Sequence, residues 1–454
     1  MFSPVSFLVS IFLLILNVTA ATSVDVRAAT ASSSLINQSD IDVSRSKYTY
    51  ASSPNFVGAV YAMTNDVTAN SVVVYGRFND GTVSLIDIVP TGGQGAILDS
   101  GDGVDPLISA GSIALSYYYG RPTFVLAANA GSDSITVFRI MRDFSLKRTS
   151  VTALPRTAGS RPISIAVSRN IVYVATEESR SNGGDDDDTA RPGAITGFVL
   201  SFSGRLHAIR RSTRTLTARP GAVQFTPDGR TLISSQVFAG SAAFGSTTVD
   251  EILSFRLLRS GRLSKRPVDT ATSTELNNSA GRNLPAAIGF KAFTRGGAQF
   301  VVVTEARGLT PAGLPTSPQT GSTSVWRVTK SGRFVAVSLD ILTGSSFTEG
   351  QMAACWVAVS PIAGYFWVSN TGSDTLSSFR VTSKGKASLA IEVAAVGEGP
   401  VDVAISSDGK FLYQMFAGKV AVFEIEDGGM GPGLTSIQMP MNIPDENAQG
   451  IVAF

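Results

Sequence analysis

Short apolar runs recur along this chain, each broken by a Gly-, Asp- or Ser-containing turn. Some are small and nearly continuous, such as Gly111-Ser-Ile-Ala-Leu-Ser116, Ile163-Ser-Ile-Ala-Val-Ser168 and Gly221-Ala-Val-Gln-Phe225. Others alternate apolar with polar residues. Both patterns are β-strand patterns, and no segment shows the 3.6-residue period of an amphipathic helix. The turns carry hairpin chemistry: Asn79-Asp-Gly81, Ser203-Gly-Arg205, Pro227-Asp-Gly-Arg230, Ser260-Gly-Arg262, Ser331-Gly-Arg333 and Ser407-Asp-Gly-Lys410. Two hairpins are nearly the same sentence, Asn129-Ala-Gly-Ser-Asp133 followed by Ser-Ile-Thr-Val-Phe-Arg139, and Asn370-Thr-Gly-Ser-Asp374 followed by Thr-Leu-Ser-Ser-Phe-Arg380. Recurrence at that distance means the fold is built from copies of one unit.

The unit reads as four strands, with a small apolar strand innermost. Further innermost strands are expected at Ala286–Phe290, Cys355–Val359 and Val401–Ile405, which makes six complete units. The first unit has only three strands, Val57–Met63, Ser71–Phe78 and Thr82–Val89. The missing one is supplied by the other end of the chain, where Gly450-Ile-Val-Ala-Phe454 closely matches Gly221–Phe225. The expected fold is all-β: a seven-bladed β-propeller closed by a C-terminal strand that completes the first blade.

Length and composition fit that reading. The 454 residues are 43% hydrophobic and only 16% charged, against roughly 25% in an ordinary domain. A core of that size needs no disulfide, and the lone Cys355 can form none within the chain. The net charge of +2 gives no general pull toward nucleic acid. Residues 1–20 read as a signal peptide, with the apolar run Phe7–Leu16 and a small-residue cut after Ala20; residues 21–50 read as a flexible lead-in, and 51–454 as the propeller. The expectation is a secreted, extracellular monomer with no membrane attachment after cleavage. Asn37 and Asn277 are glycosylation sequons.

Loops entering the inner strands and the ends of the second strands share one face of a propeller, and such loops are where sites form. The first set offers Asp105, Arg161, Arg219, Arg282, Asn283, Glu349, Gln351, Glu398, Asn447 and Gln449. The second offers Asn65, Asn129, Glu177, Glu305 and Asn370. The arginines suit a carboxylate or phosphate. The expected binding residues are therefore Arg161, Arg219, Arg282, Glu177 and Gln351, and the candidate catalytic residue is Glu305, a carboxylate ending the apolar strand Phe300–Thr304. The single histidine, His207, belongs to an outer strand, which removes Ser-His-Asp chemistry and His-based metal sites. No metal or cofactor is expected. Asp185–Asp188 lacks the ligand spacing of an EF-hand and reads as a solvated loop. The arginines between 205 and 219 form a basic stretch suited to a polyanion such as an acidic glycan.

The blade sentences resemble the lactonase-like seven-bladed propellers, the group that includes 6-phosphogluconolactonase and carboxymuconate cyclase. Pro220–Arg230, the two Asn-x-Gly-Ser-Asp hairpins, Phe300–Glu305, Gln351–Trp356 and Gly399–Ala404 carry the likeness. It implies opening or closing of a lactone on a small anionic sugar acid or muconate at the central mouth, by a histidine with a glutamate and arginines. This chain departs there: the Pro-led entries read Arg161-Pro162 and Arg219-Pro220, with no histidine. The other reading is a non-catalytic module that binds a ligand, or a cell-surface or glycan partner.

Overall fold

The computed structural model describes residues 55–97, 105–178, 192–237, 251–272, 285–306, 320–428 and 431–454. The signal segment, the lead-in, both sequons, the Asp185–Asp188 run, Asn283 and Arg282 lie outside them. The compact unit Phe56–Phe454 holds seven antiparallel sheets. Six have four strands; in blade 3 the outermost place is shared by two short strands, Leu206–Ala208 and Arg214–Thr215. Among the described residues there is no α-helix, only single 3₁₀ turns, and no helix is long and apolar enough to cross a membrane.

Blade 1 runs outward as Ile451–Ala453, Gly58–Met63, Ser71–Arg77 and Val83–Pro90. The terminal strand pairs antiparallel with the first, with Val60 opposite Ala453 and Ala62 opposite Ile451. This is the closure read from the sequence. Its fit is tight: a Cβ on Gly58 would lie 2.2 Å from the Phe454 carbonyl oxygen. The Arg77 Nε–H donates to that same oxygen at 3.1 Å.

The inner strands of blades 2 to 7 are Ile113–Tyr118, Ser160–Ser168, Arg219–Phe225, Phe290–Arg295, Ala354–Val359 and Val403–Ile405. One sequence expectation shifts. In blade 5 the ladder begins at Phe290, where the expected strand Ala286–Phe290 ends; Ala286 makes only an isolated bridge to Ala306. Ala-Ala-Ile-Gly looks like the other inner strands, but it enters the sheet before pairing starts.

Most clusters of buried apolar residues join neighbouring blades, while the largest gathers Ile108, Val237, Ile288, Trp356, Val401 and Ile451 from blades 1, 4, 5, 6 and 7. Phe124 and Leu126 of blade 2 meet Val172 and Phe198 of blade 3; Val302 and Phe300 of blade 5 meet Phe366 and Phe379 of blade 6. Each sheet is thus covered on both faces, which is why inner and second strands read as continuous apolar runs instead of alternating ones. The first-to-second junction includes Phe454, 7% exposed, whose ring lies 6.0 Å from that of Tyr61 and 5.8 Å from that of Phe144. Phe454→Ala should therefore cost about 3–5 kcal/mol, read as a lower urea midpoint in equilibrium unfolding. An unchanged midpoint would mean that the terminal strand does not hold the ring shut.

Candidate functional site

The two matching hairpins show what their residues do. Each turn is 3₁₀, and the left-handed conformation falls on the aspartate, Asp133 at φ +48° and Asp374 at φ +55°. The glycines of these two hairpins do not take it, whereas those of the Asp-Gly and Ser-Gly turns do, Gly81, Gly204, Gly261 and Gly332 among them. The Asn129 amide donates to Ser134 and Thr136 at 3.1 and 3.0 Å; the Asn370 amide donates to Thr375 and Ser377 at 3.3 and 2.8 Å. Both asparagines are fully buried. They clamp the end of the second strand to the start of the third.

Glu305 occupies the same place in blade 5. It pairs with Ser322 as Asn129 pairs with Ser134 and Asn370 with Thr375. Its two carboxylate oxygens accept from Ser322 and Ser324, both at 2.5 Å. Only the polarity is inverted: the asparagines donate, whereas a carboxylate accepts. Glu305 is 1% exposed. The position is the repeat's clamp, with a serine hydroxyl donating to each carboxylate oxygen. Glu305→Ala should cost about 1–3 kcal/mol by leaving buried hydroxyls unmatched, with Glu305→Gln recovering part of it because its amide oxygen still accepts. Paired denaturation curves check this; equal stability of wild type and Glu305→Ala would remove the clamp role.

The centre of the face is filled by the chain itself. The Leu107 N–H donates to Gln449 Oε1, Ser109 Oγ donates to the Ile163 carbonyl, the Ala110 N–H donates to the Gly221 carbonyl, and the Trp356 indole donates to the Ser109 carbonyl at 3.0 Å. Those partners enter blades 1, 3, 4 and 6. A segment bonded to so many sides of a ring must cross its centre. Leu107 and Ser109 are fully buried, and Gln449 and Asp105 bond to each other at 2.9 Å. Gln351 is also occupied: Thr375 donates to its Oε1 at 2.6 Å, and its Nε2 donates to Glu392 at 3.0 Å, both within blade 6.

Three nominated residues do come together, at the rim between blades 3 and 4. Glu177, at the end of the second strand of blade 3, meets Arg161 Nη1 at 3.2 Å and Arg219 Nη2 at 3.5 Å. Arg219 also donates to the Leu107 carbonyl at 2.9 Å, which ties the rim to the central plug. The Arg161 side chain is 35% exposed, while Arg219 and Glu177 are at 11% and 12%. Arg161 sits at φ +56° with its N–H donating to Asp133. Gly399 in blade 7 has the same φ, the same N–H bond to Asp374, and a proline after it, as Arg161 has. One blade thus spends an arginine where its twin uses glycine, at a strain of roughly 1–2 kcal/mol.

One buried acid escaped the sequence reading although it lay inside a quoted stretch. Asp402, 7% exposed, stands at the entry to the blade 7 inner strand. It accepts backbone hydrogen bonds from Gly111 and Gly450, and its Oδ2 makes none. Burial pushes its carboxyl up to about 7, with the two N–H groups and the Lys291 ammonium opposing the rise. Lys291, on the blade 5 inner strand, has its own value pulled down by enclosure within the ring, with Asp402 opposing. The signal was a carboxylate in an otherwise apolar inner strand. A folded value above the unfolded 3.8 means that the neutral acid suits the fold; the stability is fully present below about pH 4 and is lost as pH rises through 7. Relative to wild type, Asp402→Asn should gain melting temperature between pH 5 and pH 8. A wild-type-minus-variant difference that does not change with pH would contradict this.

Among the described residues no cluster of His, Cys, Asp and Glu could hold a metal ion. Residues 319–443 match the family described as Lactonase, 7-bladed beta-propeller. That match spans about a quarter of the chain, and the seven sheets make the whole a seven-bladed β-propeller. No protein of curated function matches this propeller by sequence. Among solved structures it is similar to a proposed 6-phosphogluconolactonase of Bacteroides fragilis (15% identity, 87% of this chain and 98% of that one, TM-score 0.57). A second proposed 6-phosphogluconolactonase, from Bacteroides uniformis, gives 14% identity, 87% and 99% coverage and a TM-score of 0.58. A hypothetical selenium-binding protein of Sulfolobus tokodaii gives 10% identity, 88% and 93% coverage and a TM-score of 0.59. At such identities the likeness is one of fold, which proteins of different function share.

Proposed function

We propose that this lactonase-like propeller binds a small anionic sugar acid or its lactone at the rim between blades 3 and 4. Arg161 grips the anion, while Arg219 and Glu177 hold the Arg161 fork in place. One observation carries the reading: Arg161 bears backbone strain at a position where the equivalent blade uses glycine. Strain of this kind persists where a side chain is needed. Arg161 is also the most exposed of the three, so its guanidinium can meet a ligand. The ligand sits off the axis, because the plug fills the middle. The apolar Phe7–Leu16 run supports placing this activity outside the cell.

If the ligand turns over, Glu177 is the base within reach. It takes a proton from water, the oxygen adds to the lactone carbonyl, Arg161 meets the developing oxyanion, and the ring C–O bond breaks with the proton returned to the alcohol. The second reading, binding without turnover, is favoured by the one histidine. His207 is exposed on the outer strand Leu206–Ala208 and pairs there with Val199, on a different strand from any rim residue.

Calorimetry with gluconate, 6-phosphogluconate and muconate, beside hydrolysis of gluconolactone and muconolactone, tests both readings. Arg161→Gly should weaken anion binding by at least about tenfold and leave the melting temperature equal or higher. Unchanged affinity in that variant would refute the rim site. Binding with no hydrolysis above buffer would select the second reading.

A further inference from the structure

Charge is unevenly shared around the ring. The whole chain carries +2, from 37 Lys and Arg against 35 Asp and Glu. Described residues 105–178 and 192–218, which make up blades 2 and 3, contain twelve Lys and Arg against five Asp and Glu. Three of those five acids are already engaged near the rim: Asp133 accepts the Arg161 N–H, and Glu177 and Glu178 both meet the Arg161 guanidinium. The rest of these two blades is therefore strongly basic.

In the same region large aromatic rings stand in solvent. Tyr119 is 89% exposed, Phe202 68% and Tyr118 50%. Tyr118 ends the blade 2 inner strand and Tyr119 begins the turn after it; Phe202 belongs to a blade 3 turn, yet its ring lies 5.3 Å from that of Tyr118. Arg139 joins them. Its guanidinium lies 4.7 Å over Phe124 and 5.8 Å from the Phe202 ring, and it donates to the Phe202 carbonyl at 2.7 Å. Arg121 is opposite Tyr118 in the ladder and Lys147 is opposite Arg139, both exposed. The matching Phe/Tyr–Arg pair of blade 6, Tyr365 and Arg380, instead closes onto its neighbour through Asp427 and the Gly428 carbonyl. Of these two versions, the one at blades 2 and 3 leaves its rings uncovered beside exposed cations.

We propose that this surface binds an acidic polysaccharide, with uronic-acid carboxylates on the basic side chains and sugar C–H faces on Tyr119 and Phe202. Exposed rings beside cations are costly to leave in water and mark contact sites. The chain's net charge of only +2 gives no general pull toward a nucleic-acid backbone. Tyr118 stands edge-on to both neighbours, at 72° to Tyr119 and 69° to Phe202, and the exposed Tyr119 and Phe202 rings are left in solvent to meet sugar C–H groups.

The test is affinity electrophoresis of the full chain in polygalacturonate, dextran and oligo(dT). Polygalacturonate should retard the wild type in a salt-sensitive way and neutral dextran should not. The double variant Tyr119→Ala/Phe202→Ala should lose about tenfold in affinity, and so should Lys147→Glu/Arg121→Glu. All four residues are exposed, so folding is preserved, and anion binding at the Arg161 rim should be unchanged in both. Equal or tighter binding of oligo(dT), or retardation indifferent to the aromatic pair, would overturn the proposal.

Discussion

The pairing of Ile451–Ala453 with Gly58–Met63 is the constraint on which the structure rests. Several clusters lie between two neighbouring blades, and one, with Ile108 and Trp356, joins residues of blades 1, 4, 5, 6 and 7, so each blade is stable only while its neighbours are present. Opening one junction exposes two faces together. Closure by a strand from the far end of the chain makes that opening a long-range event, because the final residues must leave before the first blade can. The Arg77 bond to Phe454 and the packing of Phe454 between Tyr61 and Phe144 add side-chain weight to a three-residue ladder.

Closure also fixes what the mouth can hold. Seven strands around an axis leave a space, and here the chain fills its upper end with Leu107–Ala110, bonded to four blades. Beneath it, Asp402 accepts N–H groups from Gly111, which follows the plug, and Gly450, which precedes the closing strand. One buried carboxyl therefore touches both the plug and the closure. With Leu107–Ala110 in the middle of that face, the proposed small-ligand site lies at the rim.

Blade number and closure were legible in the sequence because both depend on local patterns: hairpin turns, small inner strands, and the likeness of Gly450–Phe454 to Gly221–Phe225. Arg161, Arg219 and Glu177 were found by the same topological logic, since all three begin or end strands on one face. What stayed hidden depends on contacts across the ring. No pattern around Ser109 announces that Trp356 will reach its carbonyl, 247 residues away in sequence. Glu305 attracted a catalytic reading because a lone carboxylate after an apolar strand looks exceptional. Its serine partners lie seventeen and nineteen residues further on, whereas those of Asn129 lie five and seven residues on, so nothing in the sequence aligned the two positions.

A repeated fold supplies its own reference for such judgements. Where blades share a geometry, a residue that differs in chemistry but keeps the geometry is still doing the common structural task. Glu305 is of that kind: it meets the same third-strand positions as Asn129 and Asn370, with donors and acceptors exchanged. A residue that keeps the geometry at a cost is different. Arg161 copies the backbone of Gly399, including its bond to the hairpin aspartate, although glycine would adopt it without strain. Nothing in the shared architecture asks for a long cation there, and blade 7 manages without one. The strain is offset by what the guanidinium touches, Glu177 and Glu178 among its partners, and its side chain remains 35% exposed at the rim.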